Sequence, residues 1–308
     1  MIDVRSITKH YGEKKAVNNL SFRINEGEIV GLLGLNGAGK STILKTLGTL
    51  LQASEGEAWI AGFSVREQAD EVRKHIGYLP DTPPLYDEMS IRTYLEFVAK
   101  LKGVPRSSVK KHVEEALDQT NLMAVQHMKL AELSHGFRQR TNIAQALVHR
   151  PKVLIFDEPI NGLDPVQIVE MRDLILSLKE RHTVILSSHI LSEITRTCDR
   201  ILVIDQGTLV AEGTEEQLRG KVQDEFDVRL ELTHEPPLLL SSLQNMNGIK
   251  DVIRINSTTL SLLCREELRP EIARVVYESG AGLLTLQRKE AELETLFLKL
   301  VRGENDRL

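Results

Sequence analysis

The sequence predicts an α/β protein of 308 residues in two parts, and two observations support this. Over residues 1–220, four strand-length runs that are apolar on both faces alternate with helical patterns. Such runs suit a parallel sheet that helices cover on both sides. Over residues 221–308, short strands and helices follow in the order β-α-β-β-α-β with one more helix, which predicts a small α+β module.

Each element of the first part has a local reason. The four apolar runs are Ile29–Gly34, Val153–Phe156, Thr183–Ser188 and Arg200–Asp205. Apolar periodicity predicts helices at Ser41–Leu51, Ser134–Val148, Val166–Lys179 and Ser192–Thr197. The stretch Ile91–Asn121 is also helical, with Ser90 as an N-cap and Gly103 and Pro105 ending its first helix. It predicts a helical subdomain at about residues 88–150, inserted in the α/β unit.

In the second part the elements are shorter. The predicted strands are Phe226–Leu232, Val252–Ile255, Leu260–Cys264 and Leu283–Gln287. The predicted helices are Pro237–Gln244, Glu266–Ser279 and Glu290–Arg302. A polar and charged junction over residues 213–224 separates the two parts.

Composition excludes several classes of protein. Hydrophobic residues make up 41% and charged residues 27%, so the chain can form a packed core. A net charge of -5 argues against a nucleic-acid binder that works by bulk charge. No apolar run approaches the roughly 18 residues of a membrane span, and residues 1–17 lack a secretory signal pattern. Cys198 and Cys264 lie far apart, which favours a reducing cytoplasm without a disulfide framework.

Residues Gly34–Ser41 (GLNGAGKS) fit the phosphate-loop pattern, in which a glycine and four residues precede Gly-Lys-Ser. The glycines let the backbone curl so that several N–H groups point at a phosphate chain. Lys40 adds a positive charge at the outer phosphates, and the Ser41 hydroxyl can bind the accompanying magnesium ion. A glycine-rich turn that happens to hold a lysine is the alternative, but it does not explain the flanking strand and helix.

Two carboxylates, Asp157 and Glu158, follow the apolar strand Val153–Phe156. Ligands of parallel sheets bind at the carboxyl ends of the strands, and burying an acid pair there is costly unless a cation or a proton transfer uses it. We expect Asp157 to hold magnesium, usually through water, and Glu158 to polarise the water that attacks the γ-phosphorus. An exposed acidic turn is the alternative.

Two weaker motifs take their meaning from their order along the chain. Ser134 precedes a helix, so its hydroxyl and the backbone N–H groups there could bind an anion. His189 follows the strand Thr183–Leu186 and could donate a hydrogen bond to a γ-phosphate. Taken alone, Ser134 could be a plain helix cap and His189 a structural histidine.

Together these four elements resemble the ATPase subunit of ABC transporters, over residues 1 to about 220. The resemblance implies a P-loop NTPase fold of the ABC cassette type, with a RecA-like core and a helical subdomain. It identifies Gly34–Thr42 as the Walker A loop, Asp157 as the Walker B aspartate and Glu158 as the catalytic glutamate. It also identifies His189 as the switch histidine and Asn161–Asp164 as the D-loop.

The same resemblance implies a site for ATP and Mg²⁺. Tyr11 would stack on the adenine ring. The residues that would contact ATP are Tyr11, Asn36, Gly37, Ala38, Gly39, Lys40, Ser41, Thr42, Ser134, Gly136 and Asp164. The residues that would catalyse hydrolysis are Lys40, Glu158 and His189. The residues that would bind magnesium are Ser41, Asp81 and Asp157.

The chain departs from the family pattern at Asp81, in the signature sequence and at Ile160, which replaces a common small polar residue before the D-loop. Asp81 follows Tyr78-Leu79-Pro80, where the family carries glutamine. A carboxylate there could reach magnesium through water, or relay a signal to a membrane partner. In the signature sequence, His135 stands where glycine is usual and Phe137 where glutamine is usual, while Ser134 and Gly136 remain.

Softer signals resemble the type 2 exporter branch of the family. They are the acidic Asp81 with Pro83–Tyr86 after it, the signature continuing as Arg138-Gln139-Arg140, and the C-terminal stretch Leu293–Leu300. One alternative is the ATPase of an importer, for which an all-β C-terminal module is expected. Another is a soluble, non-transport ABC ATPase, which would carry two cassettes or a long coiled coil.

The resemblance implies partners as well. Two copies of the chain would form a homodimer around two ATP molecules, and each signature would close over the nucleotide of the other copy. Because the chain shows no membrane span, the permease would be a separate polypeptide, contacted through Ile91–Leu101 and Pro83–Glu88. We expect a cytoplasmic protein on the inner face of the cell membrane, with no nucleic-acid partner.

Overall fold

The computed structural model describes residues 1–222, 226–265 and 267–289, and the chain divides into two compact units at residues 215 and 216. The strands of the first unit are β1 Ile2–Tyr11, β2 Lys14–Ile24, β3 Ile29–Leu33, β4 Glu55–Ile60, β5 Phe63–Ser64, β6 Ile76–Leu79, β7 Val153–Phe156, β8 Thr183–Ser188, β9 Arg200–Asp205 and β10 Thr208–Gly213. Its helices are α1 Lys40–Leu47, α2 Ala69–His75, α3 Ile91–Leu101, α4 Arg106–Gln119, α5 His135–Leu147, α6 Pro165–Ser177 and α7 Leu191–Thr197.

The central sheet has six strands in the order β10-β9-β3-β8-β7-β6. All neighbours are parallel except β10, which runs antiparallel to β9. The four apolar runs of the sequence are β3, β7, β8 and β9, and every residue of β3, β7 and β8 is buried. Because these three strands are neighbours and run the same way, their carboxyl ends form one edge of the sheet.

A second sheet lies within the first unit, and the sequence patterns did not predict it. It is antiparallel, with the strand order β2-β1-β4-β5. Its apolar side chains share one core with the central sheet and with α1, and this core includes Val4, Leu20, Ile43 and Ile155. The hairpin of β1 and β2 places Tyr11 opposite Lys14.

The helix after the phosphate loop is shorter than the sequence predicts. It ends at Leu47 rather than Leu51, and Gly48 is its C-cap residue. Thr49 then adopts a φ of 61°, which does not continue a helix.

The helices α3, α4 and α5 pack around a separate apolar core within the first unit. Ser90 caps α3 by accepting the N–H of Thr93 at 3.2 Å, as the sequence predicts. The break between α3 and α4 falls at residues 102–105, where Gly103 has a φ of 78° and Pro105 precedes α4. Short 3-10 turns follow at Met123–Val125 and Leu130–Glu132, and a third at Leu178–Glu180.

The second unit begins within the helix α8 Glu215–Val222. Its strands and helices are β11 Phe226–Leu232, α9 Leu239–Gln244, β12 Ile249–Arg254, β13 Thr259–Cys264, α10 Arg269–Glu278 and β14 Leu283–Lys289. The sheet is antiparallel with the order β12-β13-β11-β14, and α9 and α10 pack on its apolar core. The predicted helix at residues 290–302 and the stretch Leu293–Leu300 lie outside the described residues, as does Glu266.

Candidate nucleotide site

The loop between β3 and α1 needs glycine at two positions. Gly37 and Gly39 have φ values of 85° and 105°, in the region that glycine adopts without strain. A Cβ atom on Gly39 would also lie 2.5 Å from the carbonyl oxygen of Ala16. The helix that starts here has no side-chain cap and no acidic residue in its first turn, so its first N–H groups can serve an anion.

Lys40 is held at the mouth of this loop. Its side chain is only 6% exposed, and the ammonium donates to the carbonyl oxygen of Gly34 at 2.7 Å. The same ammonium lies 3.3 Å from a carboxylate oxygen of Glu158. A buried ammonium needs an anionic partner, and a nucleotide phosphate would compete with Glu158 for that role.

Asp157 is 1% exposed and lies beside the loop. One carboxylate oxygen, Oδ1, accepts the Ser187 hydroxyl at 2.7 Å and the Ser41 hydroxyl at 3.2 Å, while the buried Oδ2 has no hydrogen-bond partner. Burial raises the pKa of this carboxyl, against the effect of the two hydroxyls. An unpartnered carboxylate oxygen next to a serine hydroxyl fits a hard divalent cation.

Glu158 turns the chain sharply at the end of β7. Its φ is 51°, and its N–H donates to the Ser187 hydroxyl at 2.9 Å. The carboxylate is shared: one oxygen faces Lys40, and the other lies 3.0 Å from Nδ1 of His189. The three predicted catalytic side chains therefore meet at one point.

Ser187 also belongs to the candidate site, although the sequence analysis did not assign it. It is fully buried at the end of β8, and its hydroxyl serves both Asp157 and Glu158. The sequence did show a serine at the carboxyl end of an apolar strand. This serine could be assigned to the site only if β8 was known to lie beside β7, the strand that precedes Asp157.

A cleft of 590 Å³ opens over these groups. It is lined by Tyr11, Lys14, Ala16, Leu35, Asn36, Gly37, Ala38, Gly39, Lys40, Ser41, Thr42, Asp81, Glu158, Asn161 and His189. Tyr11 is 49% exposed, and an aromatic ring can stack on a flat base. Asp81 also lines the cleft, as predicted. The sequence analysis did not predict that Lys14, Ala16, Leu35 and Asn161 line it.

Three predicted ATP-contacting residues lie elsewhere. Among the described residues, the lining of the cleft includes neither Ser134, Gly136 nor Asp164. Ser134 caps α5 by accepting the N–H of Phe137 at 3.4 Å. Asp164 caps α6 through Oδ1, which accepts the N–H groups of Val166 and Gln167 at 3.0 Å each.

Comparison with known proteins decides the family. A sequence model described as "ABC transporter" matches residues 17–161. The bacitracin transport ATP-binding protein BcrA of Bacillus licheniformis is 32% identical, over 98% of this chain and 98% of its own. The Nod factor export ATP-binding protein I of Rhizobium etli is 34% identical, over 99% of this chain and 95% of its own. This chain belongs to the ABC transporter family.

Solved structures agree with this assignment. An ATP-binding subunit of an ABC transporter superimposes with a TM-score of 0.65 at 29% identity, covering 72% of this chain and 92% of that one. A dimeric, post-hydrolysis ATP-binding cassette bound to ADP and Pi superimposes with a TM-score of 0.63 at 26% identity, covering 70% of this chain and 98% of that one. The predicted P-loop ABC cassette fold is therefore confirmed.

The ABC subunit binds and hydrolyses ATP, as the sequence predicts. Among the described residues, every helix is too short or too polar to cross a lipid bilayer.

Proposed function

We propose that two copies of this ABC subunit close around two ATP–magnesium complexes and drive export through a separate membrane permease. The observation that carries the proposal is the division of the site. The phosphate loop, Asp81, Glu158 and His189 line one cleft, whereas Ser134 and Gly136 belong to a helix start outside it. The site is complete only if another copy supplies that helix start.

For magnesium, Ser41 and Asp157 are the groups that would hold the ion, because their oxygens already meet beside the unpartnered Oδ2. Asp81 lines the same cleft and would act through water. No three-ligand group of His, Cys, Asp and Glu able to hold a metal occurs in the described part of the chain. Magnesium would therefore arrive with the nucleotide, where it offsets charge on the phosphates.

For hydrolysis, the proposal assigns Glu158 as the general base. The carboxylate is positioned by Lys40 and His189, both of which would turn to phosphate oxygens when ATP enters. Glu158 would then be free to accept a proton from the attacking water. Tyr11 would hold the base of the nucleotide by stacking.

For export, the support comes from relatives. Two of them are named for bacitracin transport and for Nod factor export, and each aligns with nearly the whole of this chain. The second unit is a mixed α+β module, whereas an importer ATPase is expected to carry an all-β one. These findings favour export over import or a soluble non-transport role.

The loop Pro83–Glu88 and the helix α3 are the segments that would contact the permease. Tyr86 is 54% exposed and packs its ring on Tyr94 and Phe97. Asp87 is already paired with Arg138 at 2.9 Å, so reversing its charge would also disturb α5. Through this contact the subunit would lie on the cytoplasmic face of the membrane.

The test uses the purified chain and its co-expressed permease. With ATP and magnesium, the Glu158→Gln variant should form a stable dimer by light scattering; a variant that stays monomeric would contradict the shared site. Separately, Tyr86→Ser should reduce co-purification with the permease while leaving the ATPase rate of the isolated subunit unchanged. Retention of the permease by Tyr86→Ser would remove the loop from the contact.

A further inference from the structure

The loop from Glu158 to Leu163 links the catalytic carboxylate to α6, and the first turns of α5 hold it at two places. The amide of Gln139 donates to the carbonyl oxygen of Pro159 at 2.8 Å in a buried contact. Nε2 of His135 lies 3.2 Å from the carbonyl oxygen of Asn161. Because the partner is a carbonyl, the ring nitrogen must be the donor.

The backbone opposite His135 is shaped to receive the ring. Gly162 has a φ of 75°, and a Cβ atom on it would lie 3.2 Å from Nε2 of His135. One residue further along α5, a Cβ on Gly136 would lie 2.8 Å from the side chain of Gln167 in α6. The start of α5 and this loop therefore fit closely. Within this contact Gly136 is buried, whereas His135 is exposed to solvent.

The anchored segment includes two residues that line the nucleotide cleft, Glu158 and Asn161. Asn161 lines the nucleotide cleft, and its N–H donates to the carbonyl oxygen of Glu158 at 3.2 Å. Glu158 itself holds a φ of 51°, a conformation that non-glycine residues keep only when their surroundings impose it. The Ser187 hydroxyl holds the start of the segment by accepting the N–H of Glu158. His135 holds the other part by its hydrogen bond to the carbonyl oxygen of Asn161.

We propose that His135 is a positioning residue for hydrolysis. By holding the carbonyl of Asn161, it keeps the loop in the turn that presents Glu158 to the cleft. His135 acts through the loop and does not touch the nucleotide bound by its own chain. This role of His135 concerns ATP hydrolysis, so it does not depend on the direction of transport or on the permease.

Two substitutions separate this role from a general effect at the helix start. In His135→Gln the side-chain amide nitrogen can occupy the place of Nε2, whereas in His135→Asn it corresponds to Nδ1 and falls short of Asn161. Loss of one exposed hydrogen bond should lower kcat of His135→Asn by about 3- to 10-fold. His135→Gln should stay within about twofold of the parent, and KM for ATP should hardly change in either variant. The exposed His127→Asn serves as the matched control.

Hydrogen exchange gives a second readout in the protein without nucleotide. The N–H groups of Asn161 and Leu163 close the turn on Glu158 and Ile160, so they should exchange faster in His135→Asn than in His135→Gln. Equal kcat and equal exchange in the two variants would overturn the proposal. A raised KM with an unchanged kcat would also overturn it, since it would make His135 a nucleotide contact. ATP-dependent dimerisation of Glu158→Gln is measured separately, so a failure of the shared site would be seen on its own.

Discussion

The ammonium of Lys40 lies 3.3 Å from a carboxylate oxygen of Glu158, with Lys40 almost fully buried. These opposite charges neutralise each other. Under the proposed function, a phosphate that draws Lys40 away would also release the carboxylate of Glu158. The ion pair would then couple nucleotide binding to activation of the proposed general base.

Replacing Glu158 with glutamine should separate binding from hydrolysis. The amide cannot accept the proton, so kcat should fall by about 100-fold or more. Lys40 loses its competing anion, so ATP should bind at least as tightly as in the parent. Single-turnover hydrolysis and fluorescent-nucleotide titration measure the two effects. The exposed Glu132→Gln is the control; weaker ATP binding in Glu158→Gln alone would contradict the competition.

Replacing Asp157 with asparagine should stabilise the protein without nucleotide and abolish its activity. Burial raises the pKa of this carboxyl, so the folded state disfavours its charge and loses stability as pH rises through that pKa. The neutral amide removes this loss, and the gain in melting temperature should therefore be larger at pH 8 than at pH 4. Magnesium-dependent hydrolysis should fall by about 100-fold or more. If Asp157→Asn melted at a lower temperature than the parent at pH 8, the charge of Asp157 would not be destabilising and the prediction would be wrong.

His149 should make the stability of the fold depend on pH. Burial lowers the pKa of this ring from 6.5 to about 4, with Lys102, His112 and His182 opposing its charge as well. The neutral ring donates to the carbonyl oxygen of Ile76 at 2.9 Å, and its buried Nδ1 has no partner for a second proton.

The stabilising effect of neutral His149 is complete above pH 6.5 and is lost as pH falls towards 4, because the unfolded chain then binds the extra proton. The whole difference is about 3 kcal/mol in the free energy of unfolding. His149→Gln can keep the bond to Ile76 without titrating, so urea unfolding of this variant should vary less with pH in that range. An unchanged pH dependence would point to other groups.

Ser187 should matter more for catalysis than its neighbour. Its hydroxyl bridges Asp157 and the N–H of Glu158, whereas the Ser188 hydroxyl donates to Glu193 at 2.9 Å. Ser187→Ala should lower kcat by about tenfold, since two buried groups of the site lose a partner. Ser188→Ala, the matched control, should affect stability more than kcat. Equal kcat in the two variants would reduce Ser187 to a packing residue.

Part of the site followed from local patterns. The phosphate loop, the Asp157–Glu158 pair and the cap at Ser134 depend on residue types at fixed spacing, which local backbone chemistry dictates. The apolar runs predicted β3, β7, β8 and β9 for the same reason, because strands buried on both faces are apolar throughout. The antiparallel sheet of β1, β2, β4 and β5 was missed, since register shifts in β1 break the strict alternation of buried and exposed residues that predicts a half-buried strand.

By itself, then, the sequence determined that this chain holds a nucleotide phosphate beside two carboxylates, and it identified the family. Only the tertiary structure decided which groups meet: Lys40 with Glu158, Ser187 with Asp157, and His135 with Asn161. These contacts join residues distant in sequence, so they depend on strand order and helix packing. No local pattern encodes that order, because it arises from burying the faces of all the elements at once.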